Sequence, residues 1–184
     1  GARRPELKDF VPISMVGVFP LVLVVHPSVP VSSVRELIAY AKANPGKLNY
    51  SSGSTAFQVA TEMFKQMTGT DIRHIPYKGS AASIAAVIAG DVHMTIVDTP
   101  PLVAQIKAGK VKALGVTSAK RSASMPELPT IAESGVPGYE MVLWIGVFAP
   151  AGTPREVVSK LNTEVVRIVR LPDIRERLDG MGVE

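Results

Sequence analysis

Leu48-Asn49-Tyr50-Ser51-Ser52-Gly53-Ser54-Thr55-Ala56-Phe57-Gln58-Val59-Ala60-Thr61-Glu62-Met63-Phe64-Lys65-Gln66-Met67 changes its period partway along. Lys47 to Tyr50 reads as a short strand, and Ser51 to Thr55 as a loop of hydroxyls and one glycine. From there Ala56, Val59, Ala60, Met63, Phe64 and Met67 fall at the i, i+3, i+4, i+7 spacing of one helix face. Strand, polar loop and amphipathic helix make half of a βαβ unit.

The flanks repeat it. Upstream, Val22-Leu23-Val24-Val25 reads as a buried strand closed by His26-Pro27. Ser33 and Glu36 have capping-box spacing, and Val34, Leu37, Ile38 and Ala41 form the apolar face of a helix that Asn44-Pro45-Gly46 stops. Downstream, Ile72 to Ile75 is a strand, Pro76-Tyr77-Lys78-Gly79 a loop and Ser80 to Ala89 an alanine-rich helix. Val92 to Val97 is the next strand; Asp98-Thr99-Pro100-Pro101 opens a helix ending near Ala108-Gly109-Lys110, and Val111 to Thr117 is strand again. Strands separated by helices of about 10–15 residues predict parallel βαβ units with helices on both sheet faces.

Between Ser118 and Gly138 the periodicity stops, and Pro126, Pro129, Gly135, Pro137 and Gly138 mark a connector with one helical turn near Thr130 to Ser134. Tyr139 to Phe148 resumes as a strand. Thr153-Pro154-Arg155-Glu156 looks like an N-cap, a first-turn proline and a closing glutamate, with Val157, Val158, Leu161, Val165 and Ile168 on the face to be buried. Leu171-Pro172-Asp173 ends that helix, and a short one runs to Leu178. The expected organisation is an α/β lobe over 12–125, followed by the connector and part of a second lobe over 126–184.

Composition narrows the function classes. The 184 residues include no cysteine, which excludes thiol nucleophiles and thiolate metal sites, and a hydrophobic share of 46% suffices for one sizeable core or two small lobes. The most apolar stretch, Val16 to Val25, is broken by Gly17 and Pro20, is strand-length, and lacks the basic start and cleavage site of a signal peptide. Net charge is +4, a mild bias toward anionic ligands. The basic residues Lys107, Lys110, Lys112, Lys120 and Arg121 are dispersed, and with aromatics at 5% no base-stacking surface for nucleic acid is expected. His26, His74 and His93 have no metal-ligand spacing, and neither a G-x-S-x-G elbow nor a glycine-rich phosphate loop is present. No metal, no cofactor and no catalytic residue is therefore expected.

In open parallel sheets, ligands bind beyond the carboxyl ends of the strands. Three junctions share that edge here. Ser51, Ser52, Gly53, Ser54 and Thr55 lead into the best helix, where backbone N–H groups and the helix dipole favour an anion; ordinary N-capping by Ser54 or Thr55 explains the same residues. Tyr77, Lys78, Gly79 and Ser80 add a phenol, a cation and backbone donors. Asp98 and Thr99 end an apolar strand, where the carboxylate could accept from a ligand amine or cap the helix.

Across the chain, Leu48 to Thr55, His74-Ile75-Pro76-Tyr77-Lys78-Gly79, Ile106-Lys107-Ala108-Gly109-Lys110, Ala113 to Arg121, Leu128 to Glu133, Gly135 to Glu140 and Ala149 to Pro154 stand in order. Together they resemble the Bug-type receptors of tripartite tricarboxylate transporters. The resemblance implies a two-lobed, type II periplasmic-binding-protein fold that closes by hinge motion, with no enzymatic activity and a periplasmic location. It implies as partners a small organic acid (a di- or tricarboxylate, an acidic amino acid or an aromatic carboxylate) and membrane transporter subunits. It assigns Ser51 to Thr55, Tyr77 to Ser80, Asp98 and Thr99 to the ligand loops, and matches Trp144 to an aromatic near the cleft. This sequence departs from the family form S-S-G-x-G-S-T by a shorter loop, and carries Phe57 where many members carry histidine. By the same resemblance the chain is expected to hold nearly all of the second lobe and part of the first. The fold type alone also suits the effector domain of a regulator.

Overall fold

A computed structural model describes residues 6–183. The elements in chain order are β1 Phe10–Val25, α1 Val34–Ala43, β2 Leu48–Ser52, α2 Thr55–Thr68, β3 Ile72–Pro76, α3 Gly79–Ala89 and β4 Met94–Asp98. They continue as a 3-10 turn Pro100–Leu102, α4 Val103–Lys107, β5 Lys112–Val116, β6 Val142–Pro150, α5 Arg155–Val169 and α6 Pro172–Gly180. The chain divides into two compact units: Phe19–Leu143, and the residues up to Val18 together with those from Trp144 onward.

The larger unit is built on the strand order β3-β2-β4-β1-β5. β2 runs parallel to both β3 and β4, while β1 is antiparallel to β4 (Leu21↔Asp98 to Val25↔Met94) and to β5. The expected parallel units are present in β2, β3 and β4, but the sheet is mixed: four strands share one direction and β1, seated between β4 and β5, opposes them. The alternation of strands and helices specifies crossovers but not which strands become neighbours. An apolar run buried on both faces, as Leu21 to Val25 is, suits either direction.

β1 also starts earlier than its apolar run implied and passes through Pro20, which has no N–H to give to a ladder. The adjoining residue is held by a side chain instead. Leu21 N–H donates to Thr117 Oγ1 at 2.7 Å, and Thr117 N–H returns to the Leu21 carbonyl at 2.9 Å. Thr117→Val leaves the buried Leu21 N–H unpaired and should cost about 1–3 kcal/mol in urea unfolding of the chain; a loss near zero would refute this account.

Helix ends follow local chemistry, with adjustments. Ser33 Oγ accepts from Glu36 N–H at 3.2 Å, but Glu36 Oε2 takes the Ser32 N–H at 2.6 Å, so the expected box closes one residue early. α2 starts on Ser54, whose hydroxyl accepts from Phe57 N–H, and ends on Gly69 at φ +63. Its buried seam is Phe57, Ala60, Thr61, Phe64 and Thr68, while Val59 is 50% and Met67 44% exposed. The seam is rotated from the one read off the apolar residues. Thr61 and Thr68 can be buried because their hydroxyls donate back to the Phe57 and Phe64 carbonyls at 3.0 and 2.7 Å.

The connector packs as part of the larger unit. Thr130 bridges to Val116, and Ile131, Val136 and Tyr139 are fully or nearly buried. The Tyr139 hydroxyl donates to the Ala60 carbonyl at 2.9 Å. The division accordingly falls at Leu143/Trp144 rather than at 125/126, because irregular backbone can join a core wherever side chains anchor it.

In the smaller unit β6 pairs with β1, and Asn162 Nδ2 donates to the Ile13 carbonyl at 2.6 Å. Thr153 does not cap α5; its hydroxyl donates to the Pro150 carbonyl, and the N-cap position is Pro154. The expected buried face of α5 is also corrected. No residue of α5 is buried, and Val157, Leu161 and Ile168 are 40–42% exposed. Among the described residues this unit holds only two strand segments and two main helices, too little to cover that face.

Candidate functional site

β2 and β3 end together, with Ser52 in register with Pro76. Beyond that point their loops are joined by backbone bonds: Tyr77 N–H donates to the Ser52 carbonyl at 2.9 Å and Gly79 N–H to the Gly53 carbonyl at 3.1 Å. The approach is close enough to require glycine. A Cβ on Gly53 would lie 2.2 Å from the Gly79 carbonyl carbon, 2.3 Å from its oxygen and 2.7 Å from Ser80 N. Two of the three junctions thus form one continuous rim, from which both α2 and α3 depart.

The hydroxyls at this rim have different roles. β2 extends through Ser51 and Ser52, which the sequence placed in a loop, because both are paired in the sheet. Ser51 is fully buried: its hydroxyl donates to the Ser83 carbonyl at 3.1 Å and accepts from Ser83 Oγ at 2.8 Å. Thr95 Oγ1 donates to the Ser51 carbonyl at 2.9 Å. That network fastens α3 to β2 and β4, so the Ser51 side chain is spent inside the fold. Ser54 is the exposed cap of α2, and Thr55 is the exposed first residue of the helix. With Phe57 N–H taken by Ser54 and Gln58 N–H bonded to the Ser54 carbonyl, the N–H groups of Thr55 and Ala56 precede the helical bonding pattern.

Strand alternation puts Ser52 on the face opposite Ser51. Since Tyr50 is in register with Met94 and Ser51 with Thr95, Asp98 lies on the same face as Ser52, two residues farther along its strand. Asp98 Oδ1 is buried and has no hydrogen-bond partner among the described residues. The carboxylate does not cap the following turn, whose N-cap position is Thr99 without a side-chain bond. Thr99 itself is buried and donates to the Pro20 carbonyl at 3.3 Å. Tyr77 is partly buried, and Lys78 and Gly79 are exposed.

One residue that sequence reasoning set aside lies against this rim. His74 Nε2 is 2.7 Å from Ser52 Oγ, and its ring stacks on Tyr50 with centroids 4.8 Å apart. The Tyr50 hydroxyl donates to Glu62 Oε1 at 2.6 Å, and Lys65 Nζ binds both Glu62 oxygens at 2.8 and 3.0 Å. The parallel pairing of two strands ending in Tyr50-x-Ser52 and His74-x-Pro76 is the signal that could have found it, since partners in register share a face.

Burial, the hydrogen bond to Glu62 and that carboxylate's charge all push the Tyr50 phenol upward. For Glu62, burial alone would raise the carboxyl, but the hydrogen bonds from Lys65 and Tyr50, and the charges of Lys65 and His74, outweigh it and hold it below the usual range. A carboxyl depressed in the fold contributes stability that is complete above its ordinary value of 4.5 and is lost as pH falls through the folded value. Glu62→Gln should therefore flatten the decline in melting temperature below about pH 4.5. An unchanged acid limb would show that the pair is too exposed to matter.

The remaining histidines make their contacts elsewhere, His26 Nδ1 at 2.6 Å from Ser28 Oγ and His93 Nδ1 at 2.7 Å from Asn49 Oδ1. Burial, and then the charge of His26, hold His93 below the usual imidazole range. No cluster of three or more potential metal-ligating side chains occurs among the described residues, and none of their helices is long and apolar enough to cross a membrane. Trp144 belongs to the smaller unit, is 57% exposed, and is tilted against Phe148 at 5.9 Å. With Pro12, Ile13, Met15 and Gly146 these rings line a cavity of about 460 Å³.

Comparisons with known proteins bear on this arrangement. The profile of a family described as "Tripartite tricarboxylate transporter family receptor" matches residues 5–184. A UPF0065 protein from the tcbD-tcbE intergenic region of Pseudomonas sp. (strain P51) is 39% identical over 96% of this chain and 54% of its own length. Protein BugT of Bordetella pertussis is 35% identical over 96% and 55%. The chain spans about half the length of the curated relatives it matches. Among solved structures, one described as "R. palustris Rpa4515 with adipate" superposes with a TM-score of 0.87 at 42% identity, covering 96% of this chain and 60% of that one. "MatC (Rpa3494) from Rhodopseudomonas palustris with bound malate" superposes at 0.83 with 28% identity, over 96% and 60%.

Proposed function

The chain belongs to the family of tripartite tricarboxylate transporter receptors, and from that premise we propose that it is the part of a periplasmic solute-binding receptor that grips a small organic carboxylate. The ligand class is a di- or tricarboxylate, an acidic amino acid or an aromatic carboxylate, delivered unchanged to membrane subunits of the transporter. The observation that carries this reading is the fused rim of Ser52, Gly53, Tyr77 and Gly79, with the N-terminus of α2 opening from it. Thr55 and Ala56 offer backbone donors there, and the helix dipole adds a partial positive charge without a side chain that would need desolvation. Lys78 supplies a full cation at the head of α3. The adipate and malate in the descriptions of two similar solved proteins are both dicarboxylates.

Within this rim, Ser52, Gly53, Ser54, Thr55, Tyr77, Lys78 and Gly79 meet the anionic end of the ligand. Asp98, with one buried oxygen still able to accept, meets a hydroxyl or ammonium group. Ser51 and Thr99 support the rim from inside the fold through the bonds described above. Calorimetry of the protein at its full genomic length against succinate, malate, adipate, citrate, aspartate, glutamate and nicotinate tests the reading. At least one acid should bind, and at a hundredfold excess over its Kd should stabilise the fold by about 2.7 kcal/mol. The acid should be recovered chemically intact. Silence across the panel from a folded protein would overturn the proposal.

A further inference from the structure

We propose that His74 controls which way the Ser52 hydroxyl points its single hydrogen, and thereby whether the rim can donate to a carboxylate. The inference rests on the reading of Ser52 as a ligand residue. Ser52 Oγ is 2.7 Å from His74 Nε2, and Ser52 is 4% exposed, so the contact is shielded from bulk water. A contact of that length has two chemical forms. In one, the serine O–H donates to an unprotonated Nε2, and the hydroxyl then shows only lone pairs to a ligand. In the other, Nε2–H donates to the serine oxygen, and the serine O–H is free to donate onward. A carboxylate accepts hydrogen bonds and repels lone pairs, so it selects the second form.

The surroundings hold the ring in place. Tyr50 stacks on the His74 ring from β2. From α2, Glu62 is close enough for its carboxylate to feel the charge on His74, and Lys65 binds Glu62 and lies 5.5 Å from the Tyr50 ring centre. Arg73 neighbours His74 on β3. The Ser52 backbone is fixed, since its carbonyl accepts from Tyr77 N–H at 2.9 Å and its strand is paired on both sides, so the hydroxyl can leave His74 only by rotation of the side chain. His74 is thus a positioning residue acting through Ser52. The donor form requires only that Nε2 carry a hydrogen, which the Nε2–H tautomer already provides.

The test uses the protein at its full genomic length, with adipate and malate as separate probes. Imidazole nitrogen NMR should show His74 Nε2 shifting toward the protonated form on saturation with the acid that binds, and Ser52→Ala should abolish the shift. His74→Phe keeps the stacking surface but removes the nitrogen; it should weaken binding roughly tenfold. His74→Gln restores a donor and should recover most of the affinity. Circular dichroism and melting temperature confirm that each variant is folded. Binding by wild type with an unmoved imidazole signal, or by His74→Phe with wild-type affinity, would overturn this inference alone. Failure of wild type to bind either acid or any of the wider panel would overturn the carboxylate reading, and this inference with it.

Discussion

Gly53→Ala should cost about 3 kcal/mol, the upper end of what overpacking costs, and should abolish carboxylate binding. The added methyl would meet backbone atoms, the carbonyl group of Gly79 at 2.2–2.3 Å and Ser80 N at 2.7 Å, so no side-chain rotation relieves it. Relief requires the two loops to separate, which breaks the bonds from Tyr77 N–H to Ser52 and from Gly79 N–H to Gly53. Stability and binding should therefore fall together. Gly69→Ala provides the contrast. That glycine closes α2 at φ +63 and a Cβ there meets nothing within 4 Å, so only the backbone strain of roughly 1–2 kcal/mol remains, with affinity unchanged. Urea unfolding and calorimetry on both variants decide the matter. A Gly53→Ala protein of wild-type stability would mean that the loops do not touch.

Phe64→Ala should be at least as damaging to the fold, at about 3–5 kcal/mol. The ring is fully buried on α2 and meets the edge of Tyr139 at 6.3 Å and 83°. Tyr139 anchors the end of the connector, with its hydroxyl on Ala60, and burial pushes its phenol well above the ordinary range. Emptying the Phe64 site should thus loosen Ser118 to Gly138 as well as lower the melting point, and limited proteolysis should cut there first. Tyr139→Phe keeps the ring and loses one hydrogen bond, for about 1 kcal/mol, and should leave the proteolysis pattern unchanged. If Phe64→Ala lowered stability with no new cleavage in the connector, the proposed coupling would be refuted.

The sequence was most informative where one physical signal dominated. α2 stood out because six apolar residues share a period and a serine precedes them, and the cap fell on Ser54 as one of two candidates. The rim was legible as three turn-rich junctions at one sheet edge, two of which the structure joins directly. Strand direction was not legible: nothing local to Leu21–Val25 reports that β1 lies antiparallel between β4 and β5. The role of Ser51 was hidden for a related reason. Its partners Ser83 and Thr95 are 32 and 44 residues away, and a buried hydroxyl is told from a rim hydroxyl only by which face of the sheet it occupies. His74 looked ordinary in the chain because its partner is supplied by strand pairing. The apolar face of α5 was read correctly as a pattern, and only the packing that should cover it differs among the described residues.

The antiparallel seat of β1 has a consequence for how the protein is made. An interior strand of the larger sheet is the first of its strands to leave the ribosome, yet Leu21 waits for a partner, Thr117, that lies 96 residues later. At ordinary elongation rates this is a delay of roughly 5–20 s. Until β4 is made, Leu21-Val22-Leu23-Val24-Val25, a β-prone run without a charge, has no mate on either edge, and its β5 edge stays open longer still. Before β4 and β5 emerge, these segments of newborn chains are open to pairing with one another.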